Sequence, residues 1–382
     1  MSRRESGRGP TEARRTRTLP EMITGAFYEG PDIVTSLKLY EAGSIFDLPR
    51  DKATFTLGSA ASSDIYLPDE GLSKLHCVIE RRGQVIRVYD QESKNGTFFN
   101  GRKEKTFDLR PGATFTVGAT RLLALNDEMR TAYPTLVEIV GEENARSPRI
   151  DNASASDLIG LATSSAHVLI TADVGCDQDR LARTLHEISL LRSRPYLELA
   201  RVPDDRAQQR AILDRVSRST LILPLQQDAP VMDAAFVSML FSPHFHVRVI
   251  ATAPSLKKAS NVLTESNVRA MRNITLYPLA YRAGSIDHLL DRMFGERGTP
   301  LRTSDLSEKN QSALRAYSWP GNFDELRRVA DRLTRLAAIP GRPTLRQAAE
   351  ALGMSSHRSL DHWLGQLGLT LPIVATDERA TE

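Results

Sequence analysis

Cysteine is scarce in this 382-residue chain: Cys77 and Cys176 are the two, and they lie far apart. That excludes a disulfide framework and a Cys-rich metal cluster, and it suits a reducing cytoplasm, the expected location. Long apolar runs are missing as well. No stretch approaches the ~20 residues that span a bilayer, so no membrane association is expected. The opening MSRRESGRGPTEARRTRT is basic, but no apolar core follows it, which argues against a secretory signal. An excess of one charge is also absent. The net charge is +3, and residues 1–18 hold six arginines against two glutamates, so the remaining chain is close to neutral. Whole-chain charge therefore gives no reason to expect nucleic-acid binding. Residues 1–22 read as a disordered basic tail. What is present, 41% hydrophobic and 25% charged residues, is ordinary for a soluble protein of two or three domains.

Two textures follow one another. From about residue 32 to 126 short β-type runs alternate with turns: TFTLG, DIYLP, HCVIERR, QVIRVYDQ, GTFFNG, TFTVG and RLLALN. Val85, Arg87 and Tyr89 alternate with Ile86, Val88 and Asp90, and Gly83, Gly96, Gly101 and Gly112 mark turns, as in an antiparallel β-sandwich. From about 134 strands alternate with helices, which predicts a parallel α/β sheet. HVLITAD (167–173) precedes a helix over 177–191, TLILPL (220–225) a helix over 229–241, and HVRVIATA and NITLYPL supply further strands. Residues 304–338 read as helical with a break at Pro320–Gly321. The division expected is a sandwich over 23–130, an α/β domain over 134–298, a helical lid over 299–340, a helix-turn-helix over 341–370 and a disordered tail over 371–382.

The loop after the strand HVLITAD has the layout of a phosphate cradle, a helix N-terminus behind a tight turn. Its chemistry is missing. Gly175 is the single glycine of the turn, and Gln178 stands where a phosphate-neutralising lysine belongs, between Asp177 and Asp179. We read Gly175 and Gln178 as a vestigial nucleotide loop.

In the sandwich, LGSAASSDIYL, GLSKLHC and SKNGTFFNG resemble, in order and spacing, the loop motifs of forkhead-associated (FHA) domains. The resemblance implies binding of phosphothreonine peptides by loops at one end of the sandwich. Ser73, Lys74, Lys94 and Asn95 supply the hydroxyl, ammonium and amide donors that a phosphate dianion needs. In the family's pattern Asn95 holds the peptide backbone and Asn100 shapes the next turn. Gly58, Gly96 and Gly101 are structural, and His76 is the histidine that braces the loops rather than a ligand. Ser59 falls where the family places arginine, which removes a bidentate donor.

YSWPGNFDELRRVADRL (317–333) resembles the lid signature of the AAA+ enhancer-binding activators that open sigma-54 RNA polymerase. That likeness implies an AAA+ domain from about 137 to 369 with its motor removed. Besides Gln178, Pro224 and Leu225 fall at the Mg²⁺-holding acids, and Asp324 replaces the arginine that senses γ-phosphate. The interval 204–218 is too short for the sigma-contacting loop. Asp177, Asp179 and Asp324 would repel a nucleotide, so no ATP, Mg²⁺ or other metal is expected and no enzymatic activity. A homo-oligomer remains open.

TLRQAAEALGMSSHRSLDHWLGQLGL resembles the Fis-type helix-turn-helix of the same activators. Ala348, Ala349 and Leu352 face inward on the first helix, and Leu360, Trp363, Leu364 and Leu367 on the second. Ser356, His357, Arg358, Asp361 and His362 are left for a major groove, with Arg342 and Arg346 for phosphates. The expectation is a phosphothreonine-responsive DNA-binding transcriptional regulator, partnered by a Ser/Thr kinase or its client and by duplex DNA. The alternative is a phospho-dependent adaptor without a DNA role.

Overall fold

A computed structural model describes the backbone of residues 22–24 and residues 32–141, 153–199, 205–225, 229 and 231–375. The basic tail expected over 1–22 thus lies almost wholly outside the described residues, as do residues 376–382.

The front of the chain forms two sheets of antiparallel strands facing each other across one core, with Thr54–Gly58 and Ile65–Tyr66 the single parallel pair. The period-2 pattern explains them. In Val85–Asp90, Ile86 and Val88 are buried and their neighbours are not, so one face of the strand meets Phe55, Leu57, Phe115 and Val117. Each such side chain contributes roughly 1.5–3 kcal/mol by leaving water.

Among the described residues the second region holds five parallel strands, with Val168–Ala172 between Arg248–Ala253 and Arg272–Leu276, and Tyr196–Leu199 toward the far side. Val168–Ala172 and Arg248–Ala253 are buried at every position, because helices cover both faces of the sheet. The helices are shorter than the sequence predicts. Gln178–Glu187 replaces 177–191, and Ala234–Leu240 replaces 229–241, since Asp233 caps the latter by accepting from the Ala235 and Phe236 N–H groups. Among the described residues no helix is long and apolar enough to cross a membrane.

Four boundaries differ from expectation. Met22–Thr24, which the sequence division splits between tail and sandwich, instead pairs antiparallel with Tyr196–Leu199 at the edge of the α/β sheet. The junction expected at 130–134 lies inside one helix, Asp127–Val140, which Asn126 caps and Pro134 does not stop. Tyr40, Leu123 and Leu125 of the sandwich share a core with Leu158, Ile159 and Leu181 of the α/β region. Polar bonds cross the same seam: Tyr40 Oη donates to Asp157 (2.5 Å), and the buried Lys38 ammonium donates to Ser156 Oγ (3.1 Å). Thirdly, 371–375 is not frayed. Ile373 is buried, Val374 bridges Leu306, and Asn310 holds the segment through the Thr370 and Ile373 carbonyls.

Fourthly, Ile286–Glu296, placed by the sequence division in the α/β domain, joins Glu308–Ala316 and Asn322–Ala337 of the expected lid in one helical core around Trp319, which is 1% exposed and donates its indole N–H to the Leu314 carbonyl. Leu345–Ala351 and His357–Leu367 pack into that same core.

Candidate functional site

Three sandwich loops meet at one end and are bonded to each other. Ser59 N–H donates to the Ser73 carbonyl (3.0 Å), and Ala60 N–H to that of Lys74 (3.1 Å). Lys94 N–H donates to Ser73 Oγ (3.0 Å), and Asn95 Nδ2 donates to the Gly71 carbonyl (2.8 Å). Gly58 is obligatory at this crossing, since a Cβ there would collide with the Lys74 carbonyl oxygen. Ser59, Ser73, Lys74, Lys94 and Asn95 are therefore brought together. Lys74, Lys94 and Asn95 are exposed, and Ser59 and Ser73 are half-buried.

The floor beneath them is rigid. His76 is fully buried. Its Nδ1 accepts from Ser73 N–H (3.3 Å), which leaves Nε2 as the donor to the Gly96 carbonyl (3.3 Å). Burial holds its pKa below the ordinary imidazole value, so the ring stays neutral and this tautomer persists. Asp90 is a second anchor, accepting from Ser93 N–H, Ser93 Oγ (2.5 Å) and Thr97 Oγ1 (2.8 Å). Asp69 ties the Gly71 loop to Ala119 and Thr120. Asn100 (φ 49°) and Gly101 (φ 75°) make the turn that returns the chain as Arg102–Lys103. Sequence reasoning missed Lys103. The Asn-Gly turn was the available signal, because it folds the next strand back beside the loop.

The loop at Gly175 is bonded from within the chain. Phe323 N–H donates to the Gly175 carbonyl (2.9 Å), and Asn322 Nδ2 to that of Val174 (2.9 Å). Gly175 (φ 79°) packs against the Gly321 carbonyl, 2.5 Å from where a Cβ would stand. The Asp177 carboxylate is 6% exposed at the N-terminus of Gln178–Glu187 and ion-paired with Arg327 of the lid, with Arg180 at 3.5 Å. A helix N-terminus stabilises an anion; here that anion is the protein's own. A cleft of about 390 Å³ remains, lined by Gln178, Asp179, Arg180, Arg183, Asp324 and Arg327 among others. Three arginines share it with four carboxylates, Asp177, Asp179, Glu296 and Asp324, so its lining is mixed in charge rather than purely acidic. Arg183 is held bidentate by Glu198 (2.7 Å twice). Pro224 ends its strand beside Thr252, and Leu225 is 1% exposed in the core, so neither presents an acid to the cleft. Among the described residues no group of three or more His, Cys, Asp or Glu is arranged to hold a metal ion.

On the C-terminal hairpin, Ala348, Ala349, Leu360, Leu364 and Leu367 are buried against the lid, and Trp363 is half-buried under the Arg332 guanidinium (4.9 Å). Ser356 caps the second helix by accepting from Ser359 N–H. Arg342, Arg346, His357, Arg358, Asp361 and His362 are exposed.

A sandwich whose end-loops are braced by a buried histidine and crossed by an indispensable glycine defines a recognisable class of module. Comparison with known proteins gives the class its family. The oxoglutarate dehydrogenase inhibitor of Corynebacterium jeikeium is 34% identical over 98 residues, 26% of this chain and 67% of that protein. Through this front domain the chain belongs to the FHA family. The family model described as the cytoplasmic domain of the inner membrane component of type III secretion systems matches residues 38–128. An FHA domain from Chlamydia trachomatis is 30% identical, covering 24% of this chain and 95% of that one, with a TM-score of 0.23. NtrX from Brucella abortus, solved with ATP, is 17% identical over 56% of this chain and 66% of that one, at a TM-score of 0.39.

Proposed function

We propose that this chain is a phosphothreonine-responsive regulator that binds DNA, with an AAA+-like middle domain that joins its two ends and hydrolyses nothing. The observation that carries the reading is the junction at Ser73, where the Lys94 N–H and Asn95 side-chain bonds draw the half-buried Ser73 hydroxyl and the exposed Lys94 and Asn95 side chains to one place. Converging neutral and cationic donors on a fixed floor suit a phosphate dianion, and a threonine phosphate brings that dianion on a peptide the neighbouring amide can hold. The inert middle is supported by the Asp177–Arg327 pair, which fills the place a phosphate would take, and by the shared core that makes sandwich and sheet one body. DNA binding rests on the exposed Arg346 and Arg358, whose contacts are few enough that useful affinity requires two copies.

One observation favours the adaptor reading instead. The hairpin's apolar side is buried in the lid core, so it is a structural part of the lid whether or not it touches DNA. Genome-wide immunoprecipitation of the tagged protein beside the Arg346→Ala/Arg358→Ala double variant separates the two. Sharp peaks that vanish in the variant are expected. Absence of enrichment with folded, abundant protein would transfer the reading to a phospho-dependent adaptor.

A further inference from the structure

A dianionic phosphate needs a fixed cation, and the position where FHA domains place arginine holds Ser59, whose hydroxyl donates to the Leu72 carbonyl (3.2 Å). Building on the phosphothreonine reading, we infer that Lys103 supplies the missing charge, from a strand the loop motifs do not include. Thr97–Phe99 turns through Asn100 and Gly101, both in the left-handed region, and returns as Arg102–Lys103, with Phe98 opposite Lys103. A two-residue turn of this kind matches the twist of the paired strands, so the return is tight. The Lys103 stem then lies across Gly96. A Cβ on Gly96 would run into Lys103 Cε and stand 2.7 Å from Nζ. Gly96 is buried because this side chain covers it, while its carbonyl is held from beneath by His76.

Gly96 adjoins Asn95, and the Lys94 amide is already on the Ser73 hydroxyl. The Lys103 ammonium therefore stands at the rim of the same spot, on a stem seated against backbone. Such a side chain loses less rotamer freedom on binding than one extended into water. Lys103 is exposed, as Lys74 and Lys94 are, but its stem is seated against Gly96, so its charge is the more directed. The arrangement also gives Gly96 a second reason to be glycine: besides its φ of 84°, any side chain would displace the lysine.

The test uses the full chain and two matched peptide libraries, one with phosphothreonine and one with threonine at the fixed position, read by fluorescence anisotropy. Lys103→Ala should weaken binding of the best phosphorylated peptide about ten-fold, as expected for loss of one charge-assisted bond. Lys103→Arg should stay within about three-fold of the parent, and both should keep its melting temperature. Weakening confined to the phosphorylated peptide supports the assignment. Equal weakening of both peptides, or Lys103→Ala within two-fold of the parent while Ser73→Ala loses affinity, overturns it and leaves the phosphothreonine reading standing. Failure of the parent to prefer the phosphorylated library removes that reading, and this assignment with it.

Discussion

The two loops of this chain built like phosphate cradles have opposite fates. At the sandwich end Lys74, Lys94 and Asn95 are exposed, and the buried His76 and Gly58, with the half-buried Asp90, hold the loops in place. At the head of the α/β sheet the comparable groups are spent inside the molecule: the Val174 and Gly175 carbonyls on Asn322 and Phe323, and the Asp177 carboxylate on Arg327. A loop whose polar groups are satisfied by its own chain is a joint. The sandwich loops are cross-bonded too, through Ser73, Lys94 and Asn95, but they leave the Lys74, Lys94 and Asn95 side chains exposed. The difference lies in what stays exposed once the internal bonds are made, which a motif alone does not state.

The largest effect should come from breaking the joint. Arg327→Ala leaves the Asp177 carboxylate buried with only Arg180 near it. We expect a loss of about 2–3 kcal/mol after discounting for Arg327's partial exposure, measured by denaturant unfolding of the full chain. An unchanged midpoint would mean that the pair does not fasten the lid. Acid should act next, and on the same region. His186 is 1% exposed, between Thr220 Oγ1 (2.8 Å) and the Arg194 carbonyl (3.1 Å), and burial lowers its pKa from 6.5 to about 4. The folded state disfavours the proton that the unfolded state accepts, so this stability is complete above about pH 6.5 and is lost as pH falls toward 4. Between pH 7 and pH 5 the linkage amounts to about 2 kcal/mol, and the same titration in His186→Gln should lack that slope.

At the sandwich the effects should fall on binding more than on folding. Ser73→Ala removes one hydroxyl donor and the acceptor for Lys94 N–H. A loss of about ten-fold in affinity for a phosphothreonine peptide is expected at near-parent stability. The smallest effect belongs to the C-terminal hairpin. Arg346→Ala, the phosphate-facing residue in this reading, should weaken duplex DNA binding uniformly across sequences and lower the salt dependence by about one counterion. A gel-shift titration at several salt concentrations reads this directly.

How much of this was legible before the structure follows the same division. The sandwich strands and the Asn-Gly turn are local: period-2 burial and left-handed turn residues are written within a few positions, so the loops carrying Ser59, Ser73 and Asn95 could be found in order. Trp319, which lies between helices, was legible only through the resemblance of its motif, and the inward leucines of the last helix through helical spacing. Contacts closed over long separations were not. Nothing in the three residues Met22–Thr24 announces that they cross to the edge strand Tyr196–Leu199. The fused seam, with Lys38 buried against Ser156, needs two distant surfaces to meet before either looks unusual. Arg327 sits three residues past Asp324, yet the acidic residues drew the reading because the partner of Asp177 lies 150 positions away. The Lys103 stem over Gly96 is intermediate: the turn was visible, the direction of the side chain was not.

The comparison can be put to one measurement, calorimetric titration of the full chain with the best phosphothreonine peptide from the library and, separately, with Mg-ATP. The account predicts saturable one-site heat from the peptide, abolished by removal of its phosphate, and no binding heat from ATP up to millimolar concentration. Saturable ATP binding lost on mutation at Gly175, together with indifference to the peptide's phosphate, would contradict it, for the joint would then be the site and the site a joint.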